Sequence, residues 1–259
     1  MTECAVREEL GELLSPSQVS TYLTCPAKWY FRYLIGIAEP TTGALALGKA
    51  FHATLATNFR RKLTGGHDLE PAEVHEVFEQ EWTLASDDAE LRDDEDATEL
   101  ATTGEALVNT YISEAATTIQ PNVVEQPVSG RIAGVKVRGI VDVLDTTGRV
   151  IDFKTASKRP NGIAADHGLQ LSTYAMITPG ASGECRLDTV TKTKTVQVIQ
   201  QTYAVGQEER RFAETLYPMV QDSIRDGIYP PHRSNPLCSR KHCGYWRECE
   251  REYGGHVPE

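Results

Sequence analysis

Gly139-Ile140-Val141-Asp142-Val143-Leu144-Asp145-Thr146-Thr147-Gly148-Arg149-Val150-Ile151-Asp152-Phe153-Lys154 is the stretch on which the fold turns. β-Branched and polar residues alternate on both sides of Thr146-Thr147-Gly148, a turn-forming triplet, and that pattern predicts two antiparallel strands joined as a hairpin. With the triplet as its tip, the register centres on residue 147 and sets Asp142 directly across from Asp152. Their Cβ atoms then stand ~5 Å apart, on the same face as Lys154, because strand side chains alternate with a period of two. Carboxylates that close repel each other unless a cation lies between them. Hard oxygen donors favour Mg²⁺ or Mn²⁺, which also bind phosphate oxygens. A lysine beside such a cation can orient or help deprotonate a water and offset charge on a pentavalent phosphate.

Working outward, β-branched alternation from Val123 to Phe153 predicts three or four strands. Downstream the pattern predicts a helix over Gly168–Ile177, a strand over Val196–Tyr203 and a helix over Glu208–Asp226. Gln170 and Tyr174, four residues apart, share a face of the first of these helices; taken alone, they read as a surface Gln and a core-edge Tyr. Upstream, Ser15-Pro16-Ser17-Gln18 has the form of a capping box opening a helix with Val19, Tyr22 and Leu23, which ends at Cys25-Pro26. A second helix carries Trp29, Tyr30 and Tyr33. After a break at Thr41-Thr42-Gly43, Leu47–Leu63 reads as a helix with His52 in its second turn, and residues 71–119 as mostly helical. Glu125, on a strand before the hairpin, is a further acid outside the expected ligand set. The expected class is α/β: a small mixed sheet flanked by helices, with a helical insertion and a C-terminal metal-stapled cap. The chain reads as a single domain over 1–259, with an N-terminal helical part (15–120), a core (121–205) and a C-terminal helix with a cysteine cluster (206–259).

The cysteines supply the second pattern. Cys25 stands alone near the N-terminus, while Cys238, Cys243 and Cys249 crowd the C-terminal end, a layout that one soft-metal site closing both ends explains. Four thiolates suit either a cubane iron–sulfur cluster or structural zinc, and spacing does not separate the two; His242 adds a competing ligand. Cys4 and Cys185 have no cysteine neighbours and read as ordinary thiols. Together, the paired acids and the clustered cysteines point to a metal-dependent nuclease.

Composition bounds this reading. The 259 residues, 40% apolar, suffice for a sizeable core. No run approaches the ~18 consecutive apolar residues of a membrane span, and Met1-Thr2-Glu3-Cys4 lacks the basic start of a secretory signal, so the expected location is cytoplasmic, with no membrane partner. In that compartment thiols stay reduced, which favours metal ligation over disulfides. A net charge of −11 is unusual for a nucleic-acid partner, but a local −7 sits between Asp87 and Glu99, a run that reads as a solvated helix face or mobile loop. Arg60-Arg61-Lys62, Arg131 to Arg138, Lys192 with Lys194, and Arg240-Lys241 are basic clusters available to line a groove.

Ordered motifs connect these patterns to a family. They are Ser17-Gln18-Val19-Ser20-Thr21-Tyr22-Leu23-Thr24-Cys25-Pro26 with Tyr30, then Gly48-Lys49-Ala50-Phe51-His52, Gly139-Ile140-Val141-Asp142, Ile151-Asp152-Phe153-Lys154-Thr155, Gln170-Leu171-Ser172-Thr173-Tyr174-Ala175, and the cysteine-rich end. In this order and spacing the chain resembles the RecB-type nucleases of the PD-(D/E)xK superfamily. It resembles most their iron–sulfur branch, which includes the CRISPR-adaptation exonucleases and AddB-type nuclease domains. The resemblance implies a restriction-endonuclease-like core in which His52, Asp142 and Asp152 ligate the catalytic metal, joined by the Phe153 carbonyl, while Lys154 serves the attacking water. Alone, a histidine in an apolar helix turn reads as a packed core residue; the Gly48-x-x-x-His52 match reverses that reading. The resemblance places Gln170 and Tyr174 beside the active site, toward the lysine and the DNA.

For Cys25, Cys238, Cys243 and Cys249 the resemblance implies a [4Fe-4S] cluster, with zinc as the alternative. Here the chain departs from the usual Cys-x2-Cys-x5-Cys, since four residues separate Cys238 from Cys243. The implied activity is Mg²⁺- or Mn²⁺-dependent exonucleolytic hydrolysis of DNA, on single strands or frayed ends; a protein partner in a repair, replication or defence complex stays open, and the sequence does not fix the pathway. The rival readings are a non-catalytic nuclease-fold subunit that binds DNA or protein, and a redox-responsive regulator. Retention of Asp142, Asp152 and Lys154 together disfavours the first of these.

Overall fold

The computed structural model describes residues 11–92 and 95–259; Cys4 and the acids Asp93 and Asp94 lie outside them. β1 (Leu13–Leu14) precedes α1 (Pro16–Thr24). Ser15 caps this helix, its hydroxyl accepting the Gln18 N–H at 3.2 Å, with Pro16 at the first helical position. The return half of the expected capping box is not made, because Gln18 is buried and its Oε1 has no hydrogen-bond partner. Cys25 is extended, as a residue before proline should be. Beyond it α2 (Pro26–Trp29) runs into a π-helical turn, Tyr30–Leu34.

β2 (Thr41–Thr42) is followed by α3 (Gly43–Gly65). This helix begins four residues before its expected start. Thr42 acts as its cap, accepting the Leu45 N–H at 3.3 Å, so His52 falls in the third turn rather than the second. Next come α4 (Pro71–Ser86), β3 (Ala89–Glu90) and α5 (Ala97–Glu114). The acidic run forms no single helix face: β3 pairs with β2, and Asp96 caps α5 by accepting the N–H groups of Thr98 and Glu99.

The remaining elements are β4 (Pro121–Ile132), β5 (Val135–Asp145), β6 (Val150–Ala156), α6 (Ala165–Ile177), β7 (Glu184–Thr191), β8 (Val198–Ala204), α7 (Gln207–Arg225) and α8 (Trp246–Tyr253). β4 and β5 join through Ala133 and Gly134, both at positive φ (45° and 87°), the conformation a two-residue hairpin turn demands.

The chain divides into two compact units. Thr41–Val128 and Ile140–Gly206 make up the larger, an α/β unit in which β5 pairs antiparallel with β6, β6 parallel with β7, and β7 antiparallel with β8. The sheet is therefore mixed and flanked by helices, as expected. Parallel pairing of β6 with β7 needs a long connection, and α6 provides it. One core joins α3, α4 and α5 to the sheet through Phe51, Phe59, Phe78, Tyr111, Val143, Ile151 and Phe153. The other unit comprises Met1–Pro40, Ser129–Gly139 and Gln207–Glu259. In it β1 lies parallel to the start of β5, and Ala27, Phe31, Tyr245 and Cys249 form a small core.

Candidate functional site

The β5–β6 hairpin adopts the expected register, Val143 opposite Ile151 and Leu144 opposite Val150, centred on residue 147. Asp145 builds the turn: its Oδ1 accepts the Thr147 and Arg149 N–H groups at 2.8 and 2.9 Å. Gly148 sits at φ 79°, and a Cβ there would lie 2.6 Å from the Gly180 carbonyl oxygen, so only glycine fits. Continuing the register brings Asp142 beside β6, where its Oδ2 accepts the Phe153 N–H at 2.9 Å.

From this hairpin two side-chain sets diverge. Asp152 Oδ1 accepts Gln170 Nε2 at 3.0 Å, and Asp152 Oδ2 pairs with the Lys154 ammonium. Gln170 Nε2 also donates to the Tyr174 hydroxyl at 3.2 Å, which fixes both residues on one face of α6, as the four-residue spacing predicts. Tyr174 is buried, consistent with a core-edge residue, yet its hydroxyl reaches the acid site. On the other side, His52 Nδ1 lies 3.5 Å from Asp142 Oδ2, and the His52 ring packs edge-on against Phe153. Glu125 completes this second set: one donor atom each of His52, Glu125 and Asp142 lie within 4.8 Å of one another.

Glu125 lies outside the ligand set that the sequence predicts, yet it joins His52 and Asp142 here. It lies on β4 with φ at 48°, a left-handed conformation rare for a non-glycine residue, and such local bends re-aim strand side chains. An acid on a strand was its one signal in the sequence; the bend had none.

The electrostatics split the acid pair. Burial works to raise Asp142, but the His52 charge and hydrogen bond, Lys154 and the Phe153 N–H outweigh it and hold its pKa below the ordinary value. For Asp152, burial and then the Asp142 charge prevail over Lys154 and raise its pKa to about 6. Burial works against charged Lys154 and His52, yet the neighbouring acids leave both pKa values raised. Glu125 is raised by burial and by Asp142, and burial pushes Tyr174 to about 12, so the phenol stays protonated. Pairs with divergent pKa values mark sites for chemistry or for a cation.

In the other unit, Cys25, Cys238, Cys243 and Cys249 line one cavity together with Lys28, His232, Asn235 and His242. Cys25 Sγ accepts the His232 backbone N–H at 3.4 Å, and Cys249 Sγ accepts Arg233 Nη2 at 3.5 Å. Thr24 O accepts Asn235 Nδ2 at 3.0 Å, tying the end of α1 to the loop after α7. Burial raises the Cys243 and Cys249 thiols, as does the proximity of Cys25 and Cys238. His242 is engaged by the Ser239 hydroxyl at 2.8 Å. Cys185 is a fully buried thiol that donates to the Leu171 carbonyl.

The PD-(D/E)XK nuclease superfamily matches residues 13–250, and the chain belongs to it. A solved structure from Eubacterium rectale, described as a candidate exonuclease, is similar over 98% of this chain and 92% of its own, with a TM-score of 0.61 at 12% identity. The likeness shows a shared fold. A second structure, SSO0001, covers 83% of this chain and 84% of its own at 10% identity with a TM-score of 0.34, too remote to argue from. No curated protein matches. Among the described residues, no helix is long and apolar enough to cross a membrane.

Proposed function

We propose that the chain is a metal-dependent DNA nuclease with its active site at the β5–β6 hairpin. The observation that carries this is the split acid pair: Asp142 gathered with His52 and Glu125, Asp152 gathered with Lys154 and Gln170. Carboxylate and imidazole donors fit Mg²⁺ or Mn²⁺, and the burial and Asp142 repulsion that raise Asp152 are the kind of cost a cation relieves. His52, Asp142 and Asp152 would hold the ion, with Glu125 as a further carboxylate. Such an ion supplies Lewis-acid stabilisation of a phosphoryl oxygen and acidifies a bound water. Lys154, kept cationic by Asp152 and Asp142, orients that water and offsets charge on the phosphate. Gln170 fixes the Asp152 carboxylate, and Tyr174 fixes Gln170.

The substrate we assign is single-stranded DNA or frayed ends, degraded exonucleolytically in the cytoplasm. At the cysteine cavity we assign a [4Fe-4S] cluster. Cys25, Cys238, Cys243 and Cys249 all line that one cavity, and four thiolates are the donor set such a cluster takes.

The test is digestion of end-labelled linear and circular DNA, single- and double-stranded, with Mg²⁺, Mn²⁺ or EDTA. Progressive shortening of linear single strands with metal, and none in EDTA, is the expected result. Wild-type activity no greater than that of Asp152→Ala would overturn the proposal.

A further inference from the structure

Arg233, in the loop after α7, reaches Cys249, one of the thiols that line the cysteine cavity. Its Nη2 donates both to Cys249 Sγ at 3.5 Å and to the Gly254 carbonyl at 2.8 Å, while its Nε is buried without a hydrogen-bond partner. Lys28, which also lines the cavity, is spent differently: its ammonium pairs with Glu39 at 2.9 Å, which offsets its charge. The Arg233 bonds go to a sulfur and a carbonyl, so its charge acts on the sulfur without a carboxylate between them. Hydrogen bonds and charge at ligand sulfurs are among the factors that set iron–sulfur potentials.

We propose that Arg233 is a positioning residue that raises the reduction potential of the iron–sulfur group in this cavity by stabilising its electron-rich state through Cys249, and at the same time anchors the chain after α8 through Gly254. This rests on the cluster assignment made above. In the step concerned the cluster accepts one electron from an added reductant. No bond forms or breaks, and the cluster with its four thiolates gains one negative charge, which a nearby cation favours.

The test is a mediated dithionite titration of anaerobically purified protein followed by electron paramagnetic resonance, with iron and acid-labile sulfide measured on the same samples. Arg233→Gln should retain its iron but reduce at least tenfold less favourably, a midpoint lowered by about 59 mV or more, and Arg233→Lys should recover most of the shift. An iron-replete Arg233→Gln with the wild-type midpoint overturns the inference. Iron-free wild type overturns the cluster assignment instead, and the two failures are told apart by the iron content. Should Arg233→Gln lose its iron, wild type labelled with ¹⁵N-arginine decides: the reduced cluster should show magnetic coupling to a guanidinium nitrogen in pulsed resonance, and none overturns the inference.

Discussion

The acid site and the cysteine cavity are both built from groups that repel or desolvate one another, yet the chain treats them differently. At the acid site the protein supplies the partners itself: the Phe153 N–H and His52 for Asp142, Gln170 and Lys154 for Asp152. At the cavity the donors are thiols, of which two are pushed toward the neutral form by burial, and the contacts to sulfur are long. The acid site is thus held by the chain's own hydrogen bonds and ion pairs. Thiols must deprotonate to bind metal, and the proposed cluster is what would hold these four in one fixed arrangement.

Asp152→Ala should break the acid side of this comparison most severely. Cleavage of labelled DNA should fall at least about 10³-fold, since the variant loses a proposed ligand and the partner of Lys154 together, while the circular dichroism spectrum stays native. Wild-type turnover in this variant sinks the assignment.

Cys25→Ser probes the other side. Cys25 has no cysteine nearby in sequence, so losing it should release the proposed group that joins it to Cys238, Cys243 and Cys249, at a cost of about 5 kcal/mol on the scale of long cross-links. Wild type should be brown when prepared without oxygen; the variant should be pale, lower in melting temperature and cut by protease both near residue 25 and within 238–249. Identical proteolysis and metal content in the two proteins would remove the staple.

A third prediction concerns pH. Asp152 is raised to about 6 by burial and by Asp142, so the native protein takes up this proton before the unfolded chain does. The associated stability is therefore fully present below the ordinary value near 4 and is lost as pH rises through about 6, up to about 3 kcal/mol. Metal-free Asp152→Asn should accordingly be more stable than wild type in urea at pH 8, with the gap closing as pH falls from 6 to 4. An unchanged gap across that range would contradict the electrostatic account.

The smallest effect is expected at α6. Gln170→Ala and Tyr174→Phe should lower kcat about tenfold while changing stability by less than about 1 kcal/mol. A large loss of stability with normal specific activity would make both residues structural.

How much of this was legible depended on whether the signal was local. The hairpin was, because Thr146-Thr147-Gly148 fixed a register that alternation then carried to Asp142 and Asp152. So was the Gln170–Tyr174 face. β7 went unread: its Arg186, Asp188, Thr189 and Thr191 are polar but buried, and Asp188 is stabilised by the Tyr111 hydroxyl at 2.7 Å and by Arg186 at 2.8 Å, partners that its own alternation does not reveal. α3 was cut short because Thr42-Gly43 resembles a break when it is a cap and first residue. Glu125 was seen as an acid but not as a neighbour of His52, since its backbone bend left no mark in the sequence. Arg233 was missed because its sulfur partner lies 16 residues away, beyond any periodicity.

The most direct test of the division between the two sites is diffraction from manganese-soaked crystals at the manganese absorption edge. An anomalous peak within ligand distance of Asp142, Asp152 and His52 is expected in wild type, and its loss in Asp152→Ala. Manganese density absent from these acids in wild type, or confined to the cysteine cavity, would contradict that division.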